Sequence, residues 1–359
     1  MRAAVLSHPG DGKLVIVTDA EPSAVEAGEV RVRIRSTGVC HTDLSVINGT
    51  MPSRPPVVLG HEGAGEIVEV GPGVPNLAVG DHVVLAWVPP CGRCRRCLEG
   101  QAYLCSQVSS TTHLKARFTI GGEPVYAFAG LGTMAEAITV AYQSVVAIDA
   151  EVPWDVASLI GCGVTTGVGA ALNSAKVTPG SSVVVFGCGG IGISIIQGAR
   201  IAGAAEIVAV DPIPAKREQA LRFGATHMVS PEEFAELSTT LVGGEGFDFA
   251  FEAVGSAQTI RGVYDAARRG GTACIVGAGR SDETVAFSPF ELFYNDKTLT
   301  GTLYGSSDVR RDFPRLVRLW KAGRLDLTGM ITQKLPLEDV NRAFTDMKDG
   351  RVIRTVIDL

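Results

Sequence analysis

Long unbroken apolar runs, a surplus of basic charge, internal repeats and low-complexity linkers are all missing from this chain of 359 residues. A formal net charge of -6 argues against nucleic acid or an anionic membrane surface as the main partner. The most apolar segment, 183–199, is interrupted by five glycines, which excludes it as a membrane span. Residues Arg2-Ala3-Ala4-Val5-Leu6 run straight into His8-Pro9-Gly10 and read as a short strand, not an export signal. A cytoplasmic protein is therefore expected, and its eight cysteines are expected as metal ligands or buried thiols, not disulfides.

What is present fits an ordinary globular chain, with 46% hydrophobic and 19% charged residues and 43 glycines for tight turns. The length exceeds one ordinary core, so two domains are expected. Val30, Val32 and Ile34 alternate with Arg31, Arg33 and Arg35, the period of a half-buried strand. With strand candidates at Glu66–Val70 and Val83–Leu85 and glycine-rich turns between them, the first part reads as a small β-rich domain. From Val164 onward, short apolar runs (Ser182–Phe186, Glu206–Val210, Phe247–Glu252, Thr272–Val276) alternate with helix-like stretches at Ile191–Ala202 and Lys216–Phe223. That alternation predicts βαβ units on a parallel sheet. After Thr300 two amphipathic helices, Phe313–Leu325 and Leu337–Lys348, precede a last strand at Arg354–Asp358.

Cys91, Cys94, Cys97 and Cys105 are spaced Cys-x2-Cys-x2-Cys-x7-Cys, and four thiolates close a tetrahedron around a structural zinc. Cys40, His61 and Cys162 are scattered, and two thiolates with one imidazole leave a coordination position open for chemistry. Cys188 and Cys274 are left to a small buried, apolar role.

A third pattern follows the run Val183-Val184-Val185-Phe186. Gly187-Cys188-Gly189-Gly190-Ile191-Gly192 lies between a strand and a helix; its glycines permit a tight turn and close backbone approach to a pyrophosphate at the helix N-terminus. The next strand ends at Asp211, an acid placed to accept both ribose hydroxyls and to repel a 2′-phosphate. Pro212 and Ile213 follow it, so NAD is expected over NADP. Lys216 is placed either to reach the adenosine ribose or to sit as a solvated helix lysine.

Five motifs in order, Cys40-His41-Thr42-Asp43, Gly60-His61-Glu62-Gly63-Ala64-Gly65, the Cys91–Cys105 run, Gly161-Cys162-Gly163-Val164-Thr165-Thr166-Gly167 and the 187–192 loop, together resemble a zinc-containing medium-chain alcohol dehydrogenase. The resemblance covers essentially the whole chain, through Arg351-Val352-Ile353-Arg354-Thr355. It implies an α/β protein: a GroES-like catalytic domain of residues 1–163 and 304–359 with the zinc lobe at 91–105, and a Rossmann domain of residues 164–303. It implies two zinc ions per chain, one catalytic and one structural, NAD as cofactor, an active site in the cleft, and a homodimer (or tetramer) joined near Thr298–Tyr304.

The resemblance also implies individual roles. Glu62 lies beside the catalytic zinc as a transient ligand, and Asp43 holds the free nitrogen of His61; read locally, Asp43 equally serves to cap a short helix starting near Thr42. Thr42 matches the first hydroxyl of a proton relay, while Ser45 stands where many members carry a histidine. His41 and Arg354 match pyrophosphate contacts, and Val254 and Val276 match further cofactor positions. Met51, Trp87, Phe128 and Leu303 match pocket-lining positions, and all are apolar, which implies hydrophobic primary alcohols, aliphatic or aromatic. A glutathione-dependent formaldehyde dehydrogenase is the nearest alternative. It requires charge at the pocket mouth, where Met51 replaces an acid but Lys115 and Arg117 are available. A zinc-free quinone reductase relative and a non-enzymatic zinc-stabilised binding protein are less consistent with the motifs together.

Overall fold

The alternating residues of the first region form a ten-residue strand, Glu29–Gly38. Val30, Val32 and Ile34 turn into the core, while Arg31 and Arg35 pair with Glu69 and Glu66 of the neighbouring strand Gly63–Val70. The computed structural model describes residues 1–107 and 115–359. These divide into one unit of Met1–Gly163, Asp308–Gly323 and Leu327–Leu359, and a second of Val164–Ser307 and Arg324–Asp326.

In the first unit a seven-stranded sheet is centred on Glu29–Gly38, and a six-stranded sheet contains Ala3–Leu6, Val57–Val58 and Glu123–Ala127. One apolar cluster (Val30, Val32, Ile67, Leu85, Phe118, Ile138) is fully buried between them. The last strand, Arg354–Asp358, pairs antiparallel with Glu29–Gly38 at Ser36–Gly38. That register brings residues from opposite ends of the chain to one place.

The second unit is a sheet of six parallel strands: β1 Ser182–Phe186, β2 Glu206–Val210, β3 His227–Val229, β4 Phe247–Glu252, β5 Ala267–Ile275 and β6 Thr298–Gly301. Their order, β3-β2-β1-β4-β5-β6, is that of a dinucleotide-binding sheet with its switch point between β1 and β4. The α/β class with a β-rich unit and a parallel sheet is the one expected from the sequence. This unit continues past the expected Leu303, because Tyr304–Ser306 folds back on its own helices: the Asn173 amide donates to Gly305 O at 3.2 Å.

Among the described residues one helical stretch, Trp154–Ser174, is long and apolar enough to span a membrane, and 89% of it is buried inside the protein. It contains two π-helical turns, Ile160–Val164 and Ala170–Ser174, irregularities that often mark functional positions.

Candidate active site and zinc sites

Cys40 caps the short helix His41–Ile47, His61 precedes the strand Gly63–Val70, and Cys162 lies in the first π-helical turn. Their ligand atoms and a Glu62 carboxylate oxygen all lie within 4.8 Å of one another, and all four residues are buried. The structure thus brings together the three scattered residues and the neighbouring acid, all within the first unit.

His61 carries the clearest sign of what this cluster holds. Its Nδ1 is 3.2 Å from Asp43 Oδ2, and neither of its buried ring nitrogens has a hydrogen-bond partner. A buried imidazole nitrogen left unsatisfied beside two thiols costs free energy unless a metal takes it. Asp43 is wholly buried, and its other oxygen accepts the Gly60 N–H at 2.9 Å. Asp43 therefore does not cap the helix: Cys40 occupies the N-cap and Asp43 the first turn. Its position against His61 fixes the ring and its tautomer.

Burial and close neighbours set the electrostatics of the cluster. Burial opposes charge on His61, but Asp43 and Cys40 outweigh it and raise the imidazole well above its usual range. The Cys40 thiol is driven well down, first by a hydrogen bond from Cys162 and then, against burial, by His61. Cys162 is driven well up by that same bond and by burial. Burial raises the Glu62 carboxyl to about 7, although Arg354 pulls against it.

Arg354 has a partner that no spacing in the sequence signalled. Its guanidinium is buried and paired through Nη2 with Glu62 Oε2, whereas the resemblance placed it against a pyrophosphate. Gly38 makes room for this pair, since any Cβ there would collide with the Glu62 carboxylate and crowd the Arg354 guanidinium. The remaining oxygen, Glu62 Oε1, has no hydrogen-bond partner.

The second cysteine group forms a lobe around the short helix Arg95–Leu98. The four sulfurs of Cys91, Cys94, Cys97 and Cys105 lie within 4.8 Å of one another. Cys94 Sγ and Cys105 Sγ are 4.0 Å apart, close to the ~3.8 Å edge of a tetrahedron with zinc–sulfur bonds of about 2.3 Å. Backbone N–H groups of Cys91 and Cys94 point at Cys105 Sγ and Cys91 Sγ, each at 3.3 Å, as in a site built for thiolates. By contrast, Cys188 and Cys274 are fully buried, and burial pushes the Cys274 thiol up to about 12.

In the second unit, β1 ends in the 187–192 loop and the helix Gly190–Ala202 begins there. Gly187 takes a φ of +92°, and a Cβ on Gly192 would strike Gly187 O, so the loop lies as close to its helix as glycine allows. Asp211 accepts the N–H groups of Cys188 at 2.8 Å and of Ile213 at 2.9 Å. It is thereby fixed at the end of β2 beside the loop. Val254 is about half exposed and packs over Gly187, while Val276 is buried. Two residues of this region escaped the sequence reading. The Arg217 guanidinium donates to the carbonyls of Asp211 and Pro212, and the buried Glu252 holds the N–H groups of Val254 and Gly255 at 2.9 and 2.7 Å.

Residues 26–150 match the family model for an alcohol dehydrogenase GroES-like domain, and residues 190–322 match that for a zinc-binding dehydrogenase. The chain is 39% identical to an S-(hydroxymethyl)glutathione dehydrogenase of Synechocystis, over 99% of both chains. It is 40% identical to an NDMA-dependent alcohol dehydrogenase of Amycolatopsis methanolica, over 99% of this chain and 98% of that one. The chain belongs to the zinc-containing medium-chain alcohol dehydrogenase family. It also superposes on the crystal structure of the benzyl alcohol dehydrogenase of Acinetobacter calcoaceticus with a TM-score of 0.93 and 31% identity, covering 100% of this chain and 99% of that one.

The other residues expected around the site fall unevenly. The Phe128 ring stands edge-on to His61, centroids 5.5 Å apart, and Met51 packs on the same core as Phe128. Trp87 packs on the larger core of the first unit. Leu303 is 45% exposed in the second unit. Thr42 and Ser45 are half-buried on the helix His41–Ile47, with His41 exposed at its start. Lys216 is half-buried in the helix Pro214–Arg222. Arg117 does not stand free at a pocket mouth: it is buried, with Nη1 2.5 Å from Glu29 Oε1.

Proposed function

We propose that this alcohol dehydrogenase oxidises hydrophobic primary alcohols to aldehydes reversibly, with NAD as hydride acceptor and two zinc ions per chain. The observation that carries the reading is the buried Cys40–His61–Cys162 set with His61 Nε2 unsatisfied. When bound, zinc supplies a Lewis acid that lowers the pKa of an alcohol, and NAD takes up the hydride. Asp43 orients His61, and Phe128 shields its edge from water. The Thr42 hydroxyl takes the alcohol proton. Ser45 is not a base near neutral pH, so water or the cofactor ribose completes the transfer. Ser45→His is expected to alter the pH profile of kcat/KM; an unchanged rate and profile would remove Ser45 from the proton path.

The Asp211 carboxylate, held beside the phosphate loop by two backbone amides, favours ribose hydroxyls and repels a 2′-phosphate. Steady-state rates with each cofactor test this. Asp211→Asn is expected to lower the preference for NAD over NADP on the order of 100-fold, since like-charge juxtaposition costs several kcal/mol. An unchanged ratio contradicts the assignment. We assign His41 and Arg354 as pyrophosphate contacts, and Val254 and Val276 as positions against the cofactor.

A second reading, oxidation of a glutathione–formaldehyde adduct, draws support from the Synechocystis relative. Of the two cations that favour it, Arg117 is already paired with Glu29 and Lys115 with Glu26. We also assign a homodimer joined through β6. That strand ends the parallel sheet, and Phe290, Phe293 and Leu299 leave an apolar face exposed near it. Sedimentation should give twice the chain mass; a monomer at micromolar concentration excludes the interface.

A further inference from the structure

We infer that Glu252 biases this enzyme toward the oxidised cofactor: its buried carboxylate, left without a counter-charge, favours the positively charged nicotinamide of NAD+ over the neutral ring of NADH. The inference rests on the NAD reading and deepens it. Glu252 is the last residue of β4, wholly buried, and is register-paired with Phe186, the last residue of β1. It therefore stands at the switch point between those strands. Asp211, directly after β2, lies on the adenosine side of that point. The nicotinamide half accordingly belongs to the other side, where β4 ends.

The carboxylate is anchored by neutral groups alone. Its Oε1 accepts the N–H groups of Val254 at 2.9 Å and Gly255 at 2.7 Å, and the Thr259 hydroxyl at 2.6 Å. Three donors on one oxygen hold the group as an acceptor, which is its ionised form. Oε2 has no hydrogen-bond partner, and among the described residues no lysine, arginine or histidine pairs with it. That oxygen faces Gly277, where a Cβ would come within 2.6 Å of it. The turn that Glu252 holds reaches the phosphate loop, since a Cβ on Gly187 would strike Val254 Cγ2. An amide oxygen would serve the turn equally well, and a buried charge is costly unless it is paired. The bound cofactor supplies the missing positive charge in one redox state only. Hydride uptake adds two electrons and one proton to the ring and cancels its charge, so the attraction is present with NAD+ and lost with NADH. Inside a protein such an attraction is weakly screened and acts without contact. Glu252 thus works through the field it sets and the turn it positions, holding NAD+ and easing release of NADH in the direction of alcohol oxidation.

The test is calorimetric titration of the zinc-loaded enzyme with NAD+ and with NADH, without alcohol, so that no turnover is needed. Glu252→Gln keeps an acceptor oxygen for the turn and removes the charge. It is expected to lower the ratio Kd(NADH)/Kd(NAD+) about tenfold, or about 1.4 kcal/mol, while Glu252→Asp retains most of the wild-type ratio. Thr259→Val removes one donor and leaves the charge, so it should weaken both forms alike and leave the ratio unchanged. A ratio that is equal in wild type and Glu252→Gln overturns the inference. So does an equally large shift in Thr259→Val, which would make the effect one of turn structure and not of charge. If Glu252→Gln does not fold because its amide finds no acceptor, Glu252→Met removes the same charge and the same fall in the ratio is expected. Should the wild type bind only the 2′-phosphorylated cofactors, the NAD reading fails separately, and the ratio for NADPH and NADP+ decides in the same way.

Discussion

Replacing Cys162 with Ser is expected to lower kcat/KM by more than 100-fold while the protein remains folded. Loss of an outer-shell partner of a metal ligand typically costs 10–100-fold, and Cys162 lies one step closer. Its thiol is buried within 4.8 Å of Cys40, His61 and Glu62, where no other described sulfur can replace it. A serine hydroxyl is harder and is not ionised at neutral pH, so the site keeps its shape but loses a thiolate. The lobe at 91–105 is a separate group, so zinc content should fall from two per chain to one. Retention of both zinc ions and of full activity would remove Cys162 from the catalytic set.

The second large effect is on stability. Arg354→Met leaves Glu62 wholly buried without its guanidinium, and breaking a buried pair by removing one partner costs about 3–5 kcal/mol. For a unit of this size that corresponds to roughly a 10 °C fall in the unfolding midpoint. The pH dependence has a definite sign. Glu62 is raised in the folded protein to about 7 from an ordinary 4.5, with burial as the leading cause. Folding therefore favours its protonated form, and stability is lost as pH rises from about 4.5 through 7. Without Arg354 the carboxyl should rise further, so the deficit of the variant should be larger at pH 8.5 than at pH 6. Adding Glu62→Gln to Arg354→Met should recover most of the loss. Equal deficits at both pH values, or no recovery in the double variant, would show that the pair is not what Arg354 is there to make.

These two effects differ in how far the sequence disclosed them. The Cys91–Cys105 group is legible because all four ligands lie within one short loop, and spacing carries the geometry. Cys40, His61 and Cys162 come from three distant elements, so only the company of Thr42, Asp43, Glu62 and the glycine loop gave them weight. The Glu62–Arg354 pair joins residues 292 positions apart, and no local pattern encodes it. It depends on the register that sets Val356 opposite Gly38.

The fold divides similarly. Strands Ser182–Phe186, Glu206–Val210, Phe247–Glu252 and Arg354–Asp358 occupy the residues that their apolar runs predicted, because a run bounded by turns fixes both ends of a buried strand. The helix at Pro214–Arg222 begins two residues earlier than read, since Pro214 sits at the first helical position, where its ring fits. The helix expected at Phe313–Leu325 starts at Val309, with the Asp308 side chain accepting from Arg310 N, a capping signal ahead of the apolar stripe. The helical turns of Trp154–Ser174 went unread, because their glycines and β-branched residues oppose helix on propensity and tertiary packing overrides it. Arg117 is offered by the sequence as charge for a pocket mouth, yet its burial beside Glu29 is a tertiary fact.

The most direct test of the account is a paired measurement on the purified protein: zinc content per chain, and NADH formation from benzyl alcohol with and without a zinc chelator. Two zinc ions, NADH formation with NAD, and its loss on chelation are predicted. One zinc per chain with no turnover of any primary alcohol would contradict the reading of Cys40, His61 and Cys162 as the reacting centre.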